Sequence, residues 1–209
     1  MLFRSACTLC PPAAAAAAEP ESLAPALDGV SVSGQPLFAG PYVQGSCIPI
    51  EFLLQTGAVP VSGEIRAWAA RSGSAPRIVG RRVTLPPFSQ QRHMLYLEPP
   101  PMARGLTTAL VLPDEREVGV QSFDCALEPG SEILLIAAEE TPRARIRALL
   151  GRNTAGRLEI RTLTDLQALP DRAPGYSGFR TILLDHPDCS RLAPAQQAAL
   201  TDWVRLGGQ

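Results

Sequence analysis

The sequence predicts two folded units in series: an antiparallel β-sandwich, then an incomplete α/β three-layer unit built on a parallel sheet. Three observations predict this. Between Gly29 and Ala126, short apolar or alternating segments recur with Gly, Pro and Ser between them and show no helical period. The pattern changes at Pro129-Gly130, after which continuous apolar runs alternate with residues at helical spacing. The 209 residues, 45% apolar and 19% charged, leave room for one large domain or two modest ones and argue against wholesale disorder.

Residues 1–27 read as a signal-like or disordered Ala/Pro-rich leader. Arg4 supplies one early positive charge, and Ala13–Ala18 an Ala-x-Ala stretch before Glu19, although Pro11 and Pro12 interrupt the apolar middle. This reading predicts an exported, periplasmic or membrane-anchored protein; the alternative is a cytoplasmic one. Cys7-Thr8-Leu9-Cys10 has redox-pair spacing, but nothing places it at a helix start beside a strand, and no second such pair exists for zinc.

Residues 28–128 form the sandwich. Cys47–Leu54 and Glu64–Arg71 are its clearest early strands, the second alternating polar and apolar as a half-buried strand does. Arg77–Leu85, Arg92–Leu97, Thr107–Leu112 and Glu117–Ala126 continue the series. About seven strands in roughly 100 residues is the size of an immunoglobulin-like sandwich. Prolines fall between strands, at Pro86-Pro87, Pro99–Pro101 and Pro113, where they cost no ladder hydrogen bond. Within Arg92–Leu97 the alternation puts His93, Leu95 and Leu97 on one face and Arg92, Met94 and Tyr96 on the other. Cys47 and Cys125 fall in an early and a late strand. In an exported sandwich a disulfide between them would close a loop worth on the order of 4 kcal/mol, and as free thiols they would serve as small hydrophobes.

Residues 131–209 begin the α/β unit. Glu132–Ala138 reads as a buried strand, Thr141-Pro142 as the cap of a helix ending at Gly151, and Leu158–Leu163 as a second strand. Asp165–Leu169 reads as a short helical turn and Phe179–Asp185 as a third strand. Pro194 opens a helix stopped by Gly207-Gly208. The chain ends where a fourth strand is due, so this reading predicts a truncated domain that associates through an exposed sheet edge.

In this part Ile133–Ala137, Tyr176–Asp185 and Leu192–Gly208 resemble the first half of the class I glutamine amidotransferase-like (flavodoxin-like, Rossmann-like) domains of large bacterial envelope proteins. The resemblance implies a preceding β-sandwich and membrane helices after the domain. Enzymes of that family carry a nucleophilic cysteine on a G-x-C-x-G elbow, with His and Glu further on. None of these positions exists here, so no catalytic residue carries over.

The charge balance and content exclude several classes. Net charge −1 argues against a nucleic-acid platform, and no run approaches the roughly 18 apolar residues of a membrane span. All 19 basic residues are arginine, which removes lysine chemistry. No cofactor or metal is implied. The one polar constellation is the loop Asp185, His186, Asp188 and Cys189, beyond the carboxyl end of the third strand, where α/β sheets bind ligands. Its members suit a thiolate nucleophile or a metal, but they are sequence-local and Pro187 restricts their convergence. Three functions follow: a non-catalytic interaction or scaffold region of an envelope protein, which is the main reading; the front of an amidotransferase-like or hydrolase enzyme with its nucleophile downstream; or a ligand-binding β-sandwich module for sugar or peptide. Partners would be proteins or a missing C-terminal part of the same chain.

Overall fold

The computed structural model describes residues 29–38, 42–43, 45–71, 73, 75–124, 132–137, 158–163, 165–184 and 189–208. Seven antiparallel strands come first: β1 (Val30–Pro36), β2 (Ile48–Thr56), β3 (Val61–Ala70), β4 (Arg77–Leu85), β5 (Gln90–Leu97), β6 (Gly105–Val111) and β7 (Glu117–Asp124). They make two sheets, ordered β1-β2-β5 and β4-β3-β6-β7. Alternation decides what each sheet buries. Ile48, Ile50, Phe52 and Leu54 of β2 face Ile65, Ala67 and Ala69 of β3, with Leu95, Leu97, Leu106 and Leu110 completing a dry core. His93 shares its face with Leu95 and Leu97, and Arg92, Met94 and Tyr96 face outward, as the alternation predicts.

Two polar links, one buried and one half-buried, tie the sheets together. The Thr108 hydroxyl donates to the Gly34 carbonyl at 2.6 Å, and the Gly34 N–H donates to Gln121 Oε1 at 3.1 Å. Gly34 is required there because an added Cβ would lie 2.6 Å from the Phe52 ring. Between Thr108 and Leu110 the β6–β7 register shifts, and Gly119, at φ +64°, absorbs the bulge against Val32.

Past the sandwich, β8 (Glu132–Ala137), β9 (Leu158–Leu163) and β10 (Thr181–Leu184) pair in parallel, in the order β10-β8-β9. Two 3-10 turns, Leu166–Ala168 and Ala173–Tyr176, precede β10. A third, Cys189–Arg191, leads into α1 (Pro194–Arg205). Asp165 caps the first turn through Gln167 N–H at 2.9 Å. No helix of the described residues is long and apolar enough to cross a membrane.

This overturns the expected flavodoxin-like three-layer domain and, with it, the resemblance to glutamine amidotransferase-like domains. A three-layer fold needs a parallel sheet covered by helices on both faces. Antiparallel pairing dominates the described residues, and they contain a single α-helix. That helix packs on the turn at Ala173–Tyr176. Leu183 and Leu184 of the short β10 stay 41% and 38% exposed. The apolar positions that read as faces of sheet and helix layers have another use. Leu166, Leu169, Tyr176, Phe179, Leu192, Ala199 and Trp203 bury one another around Phe38, which the β1–β2 connection sends into their midst. Phe38 meets Phe179 edge-to-face at 4.8 Å. The helix expected over Thr141–Gly151 lies outside the described residues.

Candidate functional site

One end of the sandwich is built from the start of β1, the β2–β3 turn and the β6–β7 turn. These surround an open cleft of about 500 Å³ lined by Val30, Val59–Val61, Leu112, Pro113 and Val118, with Ser62, Asp114 and Arg116 at its rim. The lining follows from local chemistry. Pro60 and Pro113 stand at strand ends, where a missing N–H costs nothing. The second turn is closed by Leu112 N–H to Arg116 O at 2.9 Å and Glu115 N–H to Leu112 O at 3.0 Å, with Glu115 at φ +65°. A second cleft of about 370 Å³ shares Ser62, Leu112 and Pro113 and runs over the outer face of the larger sheet, past Glu64, Arg66, Arg82 and Glu115.

The charges around these clefts are mostly neutralised by near neighbours. Arg116 Nε lies 2.6 Å from Asp114 Oδ2, and this hydrogen bond holds the Asp114 carboxyl below the usual carboxylate range. Arg66 Nη2 lies 2.6 Å from Glu64 Oε2. Neither cleft is lined by Cys or His, and the first has no aromatic residue.

The second concentration of polar groups joins the sandwich to the C-terminal segment, on the outer face of the β1-β2-β5 sheet. Glu51 is 6% exposed. Arg92 Nε lies 3.0 Å from its Oε1, yet that oxygen accepts no aligned hydrogen bond, and Arg92 Nη1 lies 3.4 Å from Asp165 Oδ2. Burial pushes the Glu51 carboxyl up; Arg92 pulls it down and Asp165 pushes it further up. Tyr96 donates to Asp171 Oδ1 and accepts from the Asp171 N–H at 2.9 Å, while the Arg172 guanidinium sits 5.8 Å from the ring centre. Cys47 N–H donates to Ser177 Oγ at 2.8 Å. These contacts dock the segment; the cavity left beside Cys47 is about 10 Å³, too small for any ligand.

Cys47 carries a free thiol, pushed up to about 11 by burial and by Glu98, so it stays protonated at neutral pH. Its expected partner Cys125 lies outside the described residues, as do Asp185, His186 and Asp188. Cys189 opens the third 3-10 turn, and nothing is described of its side chain. The described residues contain no group of three or more His, Cys, Asp or Glu placed to hold a metal. Sequence reading missed the cleft. The available signal was Ala58-Val59-Pro60, a turn carrying an apolar side chain that no core position needed.

No protein-family model and no curated protein matches the chain. Among solved structures, a β-glucosidase from Listeria innocua in complex with glucose aligns at 9% identity and TM-score 0.35, over 46% of this chain and 16% of that one. The sporulation control protein Spo0M from Bacillus subtilis aligns at 8% identity and TM-score 0.33, over 49% of this chain and 50% of that one. Bacteroides uniformis β-glucuronidase 2 aligns at 12% identity and TM-score 0.33, over 82% of this chain and 25% of that one. The chain thus spans about a sixth of the length of the β-glucosidase. Likeness at these scores carries no inference about activity.

Proposed function

We propose that the chain is a ligand-binding β-sandwich module that takes an extended peptide with small apolar side chains into the cleft at its loop end. The observation that carries this reading is the cleft itself. Its volume of about 500 Å³ falls in the range of small-ligand sites, its walls are Val, Leu and Pro, and its rim is polar. A sugar is the weaker occupant, because a sugar ring packs best on an aromatic face with several converging hydrogen-bond groups, and this lining has no aromatic residue.

The test is a melting and chemical-shift titration of the whole chain with short Val-, Leu- and Pro-containing peptides beside a set of oligosaccharides. A peptide at a hundredfold excess over its dissociation constant stabilises the fold by about 2.7 kcal/mol, and the shifts should centre on the 57–62 and 112–118 turns. Val59 is 60% exposed, so Val59→Arg should fill the mouth of the cleft and abolish the effect without unfolding the sandwich. No shift with any peptide, or equal shifts with the variant, overturns the reading. We also propose that the protein is exported through its leader. Supporting this is the Arg4-to-Ala18 pattern, and recovery of an uncleaved chain from the cytoplasm alone would refute it.

A further inference from the structure

We propose a second, separate binding edge: β4 accepts an acidic, extended protein segment as an added strand. Among the described residues β4 is the terminal strand of its sheet and pairs only with β3. The Thr84 carbonyl is turned away from β3, since it accepts from Gln91 Nε2 at 3.4 Å. Main-chain groups alternate along a strand, so Ile78, Gly80 and Arg82 present their N–H and C=O groups to the free side, and Thr84 its N–H, its carbonyl being held by Gln91. At the opposite edge of the same sheet β7 lies against β1, with Gly119 seated on Val32 and Gln121 bonded to Gly34, while the β4 edge is approached by β5, whose Gln91 holds the Thr84 carbonyl.

Charge chooses the occupant. β4 carries Arg77, Arg81 and Arg82 and no acidic residue. Arg77 has a neighbour in Glu98 at 3.4 Å, whereas Arg81 and Arg82 make no ion pair among the described residues. Arg82 stands opposite Glu64 in register, but Glu64 is bound by Arg66 and folds over Gly80, where an added Cβ would collide with its carboxylate. Arg81 lies on the inward face with Val83 and Leu85, beside His93. Inward-pointing charge is how proteins keep sheet edges from pairing with their own copies. Two β4 strands side by side would juxtapose these arginines. A strand with carboxylates at those positions and an apolar residue beside the exposed Ile78 meets the opposite situation.

The probe is a short blocked peptide with two adjacent glutamates, whose side chains point to opposite faces as those of Arg81 and Arg82 do, flanked by valines, with a counterpart carrying lysines in their place as control, added to the whole chain. The acidic peptide should slow hydrogen exchange at the Ile78, Gly80, Arg82 and Thr84 amides, and the lysine peptide should not. The double substitution Arg81→Glu with Arg82→Glu should weaken the acidic peptide by about tenfold or more, from two lost pairs and two new repulsions, and should transfer the protection to the lysine peptide. That reversal separates loss of recognition from loss of fold. Val59→Arg should leave β4 binding unchanged, so the cleft and the edge succeed or fail independently. Equal protection by both peptides, or none at β4 by either, overturns the proposal.

Discussion

Glu51 is a carboxylate taken out of water and given only one misaligned cation in return. Its pKa is raised, with burial the largest cause, so the folded chain holds this proton to a higher pH than the unfolded chain does. The associated stability is therefore present in acid and is lost as pH rises through the folded-state value. Glu51→Gln should make the fold more stable at pH 7 and flatten the loss of stability above about pH 4, the ordinary range of a glutamate. Urea titrations at several pH values read both effects, and a variant less stable at neutral pH would show that the Arg92 pair outweighs the burial. Phe88 is the backbone counterpart. It sits at φ +53° and is 80% exposed, held by its N–H to Gly57 O at 2.7 Å. Left-handed backbone costs a non-glycine residue roughly 1–2 kcal/mol, and glycine gives back roughly 0.5–1 kcal/mol in unfolded-state entropy. Phe88→Gly should raise denaturant stability by up to about 1 kcal/mol; a loss would mean that the ring packs in solution.

At the scale of the element, α1 depends on one side chain. Gln196 is buried; its Oε1 accepts from Ala193 N–H at 2.9 Å, and its Nε2 reaches the carbonyls of Leu166, Gln167 and Leu169 at 3.3, 2.9 and 2.8 Å. One residue thus caps the helix and stitches it to the 3-10 turn. Gln196→Ala leaves these partners without it in a buried place, which should cost about 2–4 kcal/mol, read as a lower midpoint and faster exchange in both α1 and the turn. The helix was legible in the sequence because Pro194, the spacing of Ala199, Leu200 and Trp203, and Gly207 are local signals. So were the sandwich strands, whose alternation and interrupting turns need no knowledge of neighbours. The stitch was not legible, because it joins Gln196 to carbonyls about 30 positions earlier.

At the scale of the molecule there are two cores, and they are unequal. The sandwich core is closed by its own strands, whereas the second cluster borrows Phe38 from the β1–β2 connection and rests on the outer face through Arg92, Tyr96 and Cys47. Gly175 fits tightly into that contact: an added Cβ would lie 2.6 Å from Pro170 Cβ and 2.8 Å from Tyr96 Cε1. Gly175→Ala should cost about 1–3 kcal/mol of overpacking and speed amide exchange over residues 165–180. Exchange in β3 and β6 should stay at the global rate. Faster exchange spread evenly over both cores would show that they unfold as one.

Periodicity and turn chemistry determined the sandwich, the facing of β5 and the C-terminal helix, because each is decided among residues adjacent in the chain. What the apolar residues beyond Gly130 pack against was decided only by tertiary structure. An apolar position records that it must be buried, and not beneath which layer. The same residues that would suit a helix-covered sheet therefore serve a small core around Phe38. The clefts, the buried Glu51 and the free β4 edge are equally products of assembly, for each exists only where segments distant in sequence meet or fail to meet.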